Sequence, residues 1–343
     1  MVETLDDTKR LAIATKLSEM KALQNLLISN EQQFIQDCTD DEIRKRLQKM
    51  VEDDEKNLGV LDTVIVQYGV QAEQKETTQQ MIEEVQKLMK GSELTLFEKV
   101  SQQELLKHRQ TMAGLLIHKA AQIIGADVET AITPLNTVNF ENRAHQEQLK
   151  GILEILGVRE LTGLEPHQGI WARVQDAVAA FTGVAGSVIT RTDDEMSIRD
   201  LLLMDHTKAD TLFAEILGSD DPEKIQEYFG QLYKDIKAHG TAEEQVVYPA
   251  IRSDYEHTQE IYEQTDEVME MLDEITPLDP ASSEFKAAIE RLRTAVRTHI
   301  DQEESDIFPR LRNNFSDEQQ KQMASEFKNA KSRLQDEMAA ATH

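Results

Sequence analysis

Two stretches of this sequence copy one another sixty positions apart. The first reads His239-Gly-Thr-Ala-Glu243-Glu244-Gln-Val-Val-Tyr248-Pro249-Ala-Ile251, the second His299-Ile-Asp-Gln-Glu303-Glu304-Ser-Asp-Ile-Phe308-Pro309-Arg-Leu311. From each His, Glu recurs four and five residues on, then an aromatic, a proline and an aliphatic residue. His and Glu four apart share one face of a helix, one turn apart, where an imidazole nitrogen and a carboxylate can hold a cation. The proline should end or kink each helix about two turns past the Glu. Phase sharpens the point. One apolar stripe runs Ile225, Phe229, Leu232, Ile236, His239, Glu243, Val246, and the other Phe285, Ile289, Leu292, Val296, His299, Glu303. In both, His and Glu stand where apolar residues belong, and a buried carboxylate beside a buried imidazole is costly without a balancing charge.

Two further stripes place a His inward: Leu202, His206, Ala209, Phe213, Ile216, and His257, Ile261, Val268, Leu272, Ile275. These patterns, near 195–217, 222–249, 252–275 and 282–309, describe a four-helix bundle with a charged amphipathic tail. Residues 1–156 describe another, with stripes through Ile13, Leu17, Met20, Gln24, Leu27, Glu31 and Phe34, and through Ile43, Leu47, Met50, Asp54, Asn57, Leu61 and Val64. A polar crossover with a short helix (about 76–90) leads to a third helix over about 93–125 and a fourth opening at Pro134. Residues 157–192, rich in glycine and alanine, read as a linker with a packed interdomain helix. A membrane-surface helix is the alternative there, but the segment lacks the basic face such helices use. The fold class is therefore all-α, two consecutive four-helix bundles over 1–156 and 193–343.

Composition narrows the function. Among 343 residues, 64 are acidic and 37 basic, a net charge of −27. So acidic a surface repels phosphate backbones, and no nucleic-acid partner is expected. The single cysteine, Cys38, fits a reducing compartment, and the N-terminus lacks an export signal, so a cytoplasmic protein without membrane insertion is expected.

The order His, His-x3-Glu-Glu with aromatic-Pro, His, His-x3-Glu with aromatic-Pro across 193–315 resembles the hemerythrin-like HHE cation-binding family, whose four-helix bundles hold two non-haem irons. The resemblance implies His206, His239, Glu243, His257, His299 and Glu303 as metal ligands, with the two glutamates bridging two Fe ions. Nitrogen and carboxylate donors suit iron, manganese or zinc, so spacing alone does not choose the metal. Oxygen carriers of that family have a second His one turn from the third-helix ligand. Here Ser253 and Ile261 flank His257, leaving a position for water, O2, NO or peroxide that Glu260 could also fill. Glu244 and Glu304 read as supporting or solvent-facing carboxylates.

The first bundle resembles a degenerate ferritin-like bundle. Glu31 sits on the first stripe, Asp54-x-x-Asn57 on the second, Glu104 and His108 on the third, and Asn142-x-x-His145 on the fourth. Two asparagines stand where stronger ligands are needed. The segment reads either as a relic core of hydrogen-bonded polar groups or as a weak metal site from Glu31, Asp54, Glu104 or His108, and His145. Glu52, Glu55 and Glu141 flank these stripes. The leading expectation is a diiron protein that senses or handles iron, O2, NO or peroxide, with a small diatomic ligand or peroxide as partner and any protein partner unknown. The alternatives are a diiron oxidase, peroxidase or ferroxidase, and a metal-free interaction scaffold.

Overall fold

The computed structural model describes residues 8–166, 169–185 and 196–341; of the expected linker, residues 167–168 and 186–192 lie outside the described residues. Among them the chain is helical with no strand. The first bundle is built from α1 (Thr8–Asp37), α2 (Asp41–Tyr68), α4 (Leu96–Ile124) and α6 (Leu135–Thr162). The crossover carries α3 (Glu76–Lys90), and α5 (Ala126–Ile132) joins α4 to α6. α1 packs on α2 and α4, and α6 on the same two helices, closing a ring of four. Local chemistry sets the boundaries. Asp40 caps the α2 amides of Glu42 and Ile43, and Thr95 with Glu98 forms a capping box at α4. Pro134 stands as the N-cap of α6 rather than as its first residue.

Helix α7 (Ile170–Ala185) packs along α6. The Trp171 ring and Val174 approach Gly151 so closely that a Cβ there would meet Val174 Cγ2 at 2.6 Å. The Arg46 guanidinium lies over the Trp171 ring, 3.8 Å from its centre.

The second bundle comprises α8 (Ile198–Gly218), α9 (Pro222–Ile251), α10 (Thr258–Ile275) and α11 (Ser283–Gln302), followed by a π turn over Glu303–Ile307 and the short α12 (Phe308–Asn314). Pro249 falls two residues before the end of α9, and Pro309 falls in the first turn of α12. The charged tail is a structural element: α13 (Asp317–Ala341) lies over α8 and α9, and buries Met323, Ala324, Phe327 and Ala330 against Leu201, Tyr248 and Ile307.

The two bundles meet through polar contacts at helix ends. Lys208 of α8 donates to the terminal carbonyls of α2 at Gln67 (2.7 Å) and Tyr68 (2.9 Å), and pairs with Asp235 at 2.9 Å. Gly69 follows with φ +80°, and a Cβ there would strike Asp235. Glu215 of α8 accepts from the first amide of α5, Ala126 N, at 2.7 Å. Arg10 of α1 grips Asp127 with two bonds of 2.6 and 3.1 Å and reaches Glu227 of α9 at 2.9 Å. Arg10 and Asp127 are both buried. Arg10→Ala leaves Asp127 uncompensated and should cost about 3–5 kcal/mol, whereas the paired Arg10→Met/Asp127→Leu change should cost much less. Urea denaturation of the three chains measures the difference.

Candidate metal centre

Capping aims the ligand helices. Ser197 and Asp200 form a capping box at the start of α8, Asp221 with Pro222 opens α9, and Ser282 caps α11 at the Phe285 amide. From these starts the apolar stripes run inward, and His206, His239, Glu243 and Glu303 converge so that one donor atom of each lies within 4.8 Å of the others. His239 Nε2 lies 3.2 Å from Glu243 Oε2, and His206 Nε2 lies 3.2 Å from Glu303 Oε2. His299 Nε2 completes the group at 3.3 Å from Glu303 Oε1 and 3.8 Å from Glu243 Oε2.

Each ring is held by its other nitrogen. His239 Nδ1 meets Asp205 Oδ2 at 2.9 Å, His206 Nδ1 meets Glu304 Oε1 at 3.0 Å, and His299 Nδ1 meets Gln264 Oε1 at 3.4 Å. An Nδ1–H directed at a carboxylate or amide oxygen leaves the Nε2 lone pair free for a metal. Three buried atoms at the centre have no hydrogen-bond partner: Glu243 Oε1, Glu303 Oε2 and His206 Nε2. Buried polar atoms are seldom left so, and three on one point fit a cation that takes nitrogen and oxygen donors. The residues present therefore suit the iron that the HHE resemblance implies.

One placement departs from the sequence expectation. His257 lies at the N-cap of α10, 65% exposed, and faces Glu260 at 3.2 Å rather than the interior. The helix starts at Thr258, later than its apolar pattern suggests, because residues 252–257 form turns. The third helix instead offers Thr265, and the gap is filled by the hydroxyl of Tyr248. That hydroxyl lies 3.1 Å from both Glu243 Oε2 and Glu303 Oε1, 3.2 Å from Thr265 Oγ1 and 3.3 Å from His299 Nε2. Tyr248 is the repeat's aromatic, and its counterpart Phe308 stacks on His206 with ring centres 6.1 Å apart. The one polar aromatic of the pair was the available signal. Asp205 was missed because it neighbours His206 off the apolar stripe.

The π turn begins at Glu303, where the Phe308 amide returns to the Glu303 carbonyl. This widened turn carries Glu303 into the centre, a frequent device at functional sites. Beside the centre lies a cavity of about 40 Å³ walled by Ile236, Gly240, Thr265, Val268, Met269 and Val296.

The first bundle solves the same problem differently. Glu31 and Asp54 are buried on the axis, and between them stands the Lys107 ammonium, 3.3 Å from Glu31 Oε1 and bonded to Asp54 Oδ2. It also lies 3.0 Å from His145 Nδ1. Gln24, Asn30, Gln103 and Gln110 complete a buried amide network around it. Glu104 and His108 stay outside: Gln146 donates to Glu104 Oε1 at 3.1 Å and contacts His108 Nδ1 at 3.3 Å. Lys107 escaped the search for ligands because it is itself a cation. Its presence fits the reading of a core of hydrogen-bonded polar groups rather than the alternative grouping of Glu31, Asp54, Glu104 or His108, and His145 around a metal.

Comparison with known proteins matches residues 197–311 to the hemerythrin HHE cation binding domain. The chain is also 56% identical over 339 residues to a protein of Nostoc sp. (strain PCC 7120) named DNA nickase, covering 98% of this chain and 97% of the relative. The chain belongs to that hemerythrin-domain family. An uncharacterized hemerythrin-like protein of Schizosaccharomyces pombe is 29% identical over 139 residues, 39% of this chain and 68% of the relative. No solved structure matches. The hemerythrin domain is a metal-binding domain, and α8, α9 and α11 bring its donors together. Among the described residues no helix is long and apolar enough to cross a membrane.

Burial pulls the imidazole of His239 down, but Glu243 and Asp205 outweigh it and push it up to about 10; His299 rises to about 10 against the same burial through Glu303 and Glu243. Burial would raise Glu303, but the neighbouring imidazoles hold it well below the usual carboxylate range. The field that draws protons onto these rings also draws metal cations. In metal-stripped protein, a raised imidazole pKa stabilises the fold fully below the unfolded value near 6.5. That stabilisation disappears as pH rises toward 10. Urea midpoints of chelator-treated protein should therefore fall between about pH 6.5 and 10. His239→Gln should flatten the slope.

Proposed function

We propose that the chain is a non-haem iron protein whose hemerythrin domain holds two iron ions and there senses or handles O2, NO or peroxide. The convergence of three imidazoles and two carboxylates, with three partnerless donor atoms, carries this reading. His206, His239 and His299 would be the nitrogen ligands, and Glu243 and Glu303 the carboxylate ligands. Bound iron would supply redox change and open coordination positions. The chain does the rest. Asp205, Glu304 and Gln264 fix the rings, and the Tyr248 hydroxyl holds a proton at the two carboxylates. Burial, then Glu243 and Glu303, push the Tyr248 phenol well above its ordinary value, so it stays a donor. The cavity of about 40 Å³ has room for a diatomic or peroxide and excludes bulky substrates.

A second reading comes from the 56% identity to the Nostoc protein named DNA nickase: this chain also cuts one strand of DNA. Two observations limit how. Glu243 and Glu303 are buried beside a cavity of only about 40 Å³, and a charge of −27 opposes tight binding of a polyanion. Nicking that depends on the hemerythrin centre therefore fits a small diffusible oxidant better than direct attack on a phosphodiester at the ions.

One experiment separates these. Iron-loaded protein is assayed for metal content, for its visible spectrum on reduction and on exposure to O2, NO and peroxide, and for conversion of supercoiled to open-circular plasmid. The chain should hold about two irons more than His239→Ala/Glu243→Ala, and its spectrum should respond to the small ligands whereas that of the variant should not. Protein that takes up no iron overturns the leading reading. Plasmid nicking that needs O2 or peroxide supports the oxidant route, whereas nicking undiminished without them and in the variant places that activity elsewhere. Gly240→Ala tests the cavity independently. A Cβ there would sit 2.8 Å from Met269 Cε and 3.0 Å from Thr265 Cγ2, so the spectral response to NO should slow while iron content holds.

A further inference from the structure

The first bundle carries a second set of donors, off its axis. We propose that Asp53 of α2 and Glu141 and His145 of α6 form a divalent-cation site on its flank, separate from the hemerythrin centre. One donor atom of each lies within 4.8 Å of the others. The deciding member is His145. Its side chain is 1% exposed, and its Nε2 has no hydrogen-bond partner although it points toward Asp53 Oδ2, 3.9 Å away. The opposite nitrogen, Nδ1, lies 3.1 Å from Asp54 Oδ1 and 3.0 Å from the Lys107 ammonium; with its proton on Nδ1, directed at Asp54, the ring presents its Nε2 lone pair to the flank.

Lys107 explains why the site lies on the flank. Its ammonium fills the axial position between Glu31 and Asp54, where a cation would otherwise be needed. His145 bridges the two regions, with Nδ1 on the axial cluster and Nε2 directed outward. Asp53 and Glu141 are half-buried, so water can complete a coordination shell. The Asp53 Oδ1 atom engages Lys49, 2.7 Å away and 57% exposed, which leaves Oδ2 to face the ring. Such donors hold a transition-metal ion at about 2.1 Å. One nitrogen, two carboxylates and water suit Fe2+, Mn2+ or Zn2+ rather than Ca2+ or Mg2+.

The full chain, stripped of metal, is titrated with Co2+, and bound ion is counted by equilibrium dialysis and by visible absorption. Asp53→Asn/Glu141→Gln should bind one ion fewer than the unsubstituted chain, and Glu243→Gln/Glu303→Gln should keep the flank ion. The proposal is overturned if the flank variant binds as many ions as the unsubstituted chain. Failure of the hemerythrin reading shows separately, as unchanged binding in the Glu243/Glu303 variant. Ring resonances of His145 in the unsubstituted chain provide a measurement that needs no substitution. They should be shifted or broadened by Co2+, and resonances unaffected at saturation would equally sink the site.

Discussion

A carboxylate inside a helical bundle needs a positive charge within reach, and most of what distinguishes this chain follows from that requirement. An uncompensated buried charge costs several kcal/mol, on the order of the whole net stability of a domain. Both bundles place acids on their apolar stripes, Glu31 and Asp54 in one and Glu243 and Glu303 in the other. The first answers with a covalently attached cation, Lys107, and surrounds it with amide side chains, among them Gln103, which donates to Glu31, and Gln110, which donates to Gln24. The second answers with imidazoles, of His206, His239 and His299, whose Nε2 atoms face the acids. An ammonium on a side chain cannot be exchanged, whereas protons or metal ions can. The same electrostatic demand thus yields structural packing in one bundle and a binding centre in the other.

The helical character, the two bundles and the inward phase of His206, His239, Glu243, His299 and Glu303 were legible because periodicity and the repeat are local properties of sequence. His257 was misjudged for a local reason as well. Its spacing to Ile261 fits a stripe, but the chain turns through 252–257, and a helix beginning at Thr258 leaves the His at its exposed mouth. Tyr248, Asp205 and Lys107 were not recognised as members of their clusters. A hydroxyl, a carboxylate one residue off the stripe and a competing cation acquire their roles only when distant helices are packed together. The ferritin-like spacing of the first bundle located a polar core correctly, yet could not reveal that a lysine on the third helix occupies its middle.

The tail helix shows how the hemerythrin centre depends on what lies around it. α13 reads as a charged appendage, but its Phe327 meets the edge of the His239 ring with centres 5.8 Å apart. Its buried Lys331 holds Asp205 with bonds of 2.6 and 2.7 Å. Asp205 in turn accepts from His239 Nδ1, so the ligand's orientation is set through a lysine on the tail helix, far from it in sequence. Gln335 of the same helix donates to the Val66 carbonyl of α2, and Lys208 of α8 closes the end of that helix. The centre is therefore tied to the first bundle through α13 and α8.

That linkage gives a physical reason for the similarity to the Nostoc protein to extend over both bundles rather than the hemerythrin domain alone. Without α2, Lys208 and Gln335 would lose their backbone acceptors; without α13, Asp205 would lose its cation and His239 the ring packed on its edge. An isolated second bundle would retain every ligand named here but not the groups that hold them in place. Precision of a ligand's rotamer comes from such supporting contacts, and a donor displaced by about 1 Å changes both affinity and chemistry. The unit that defines the centre is consequently the whole two-bundle chain.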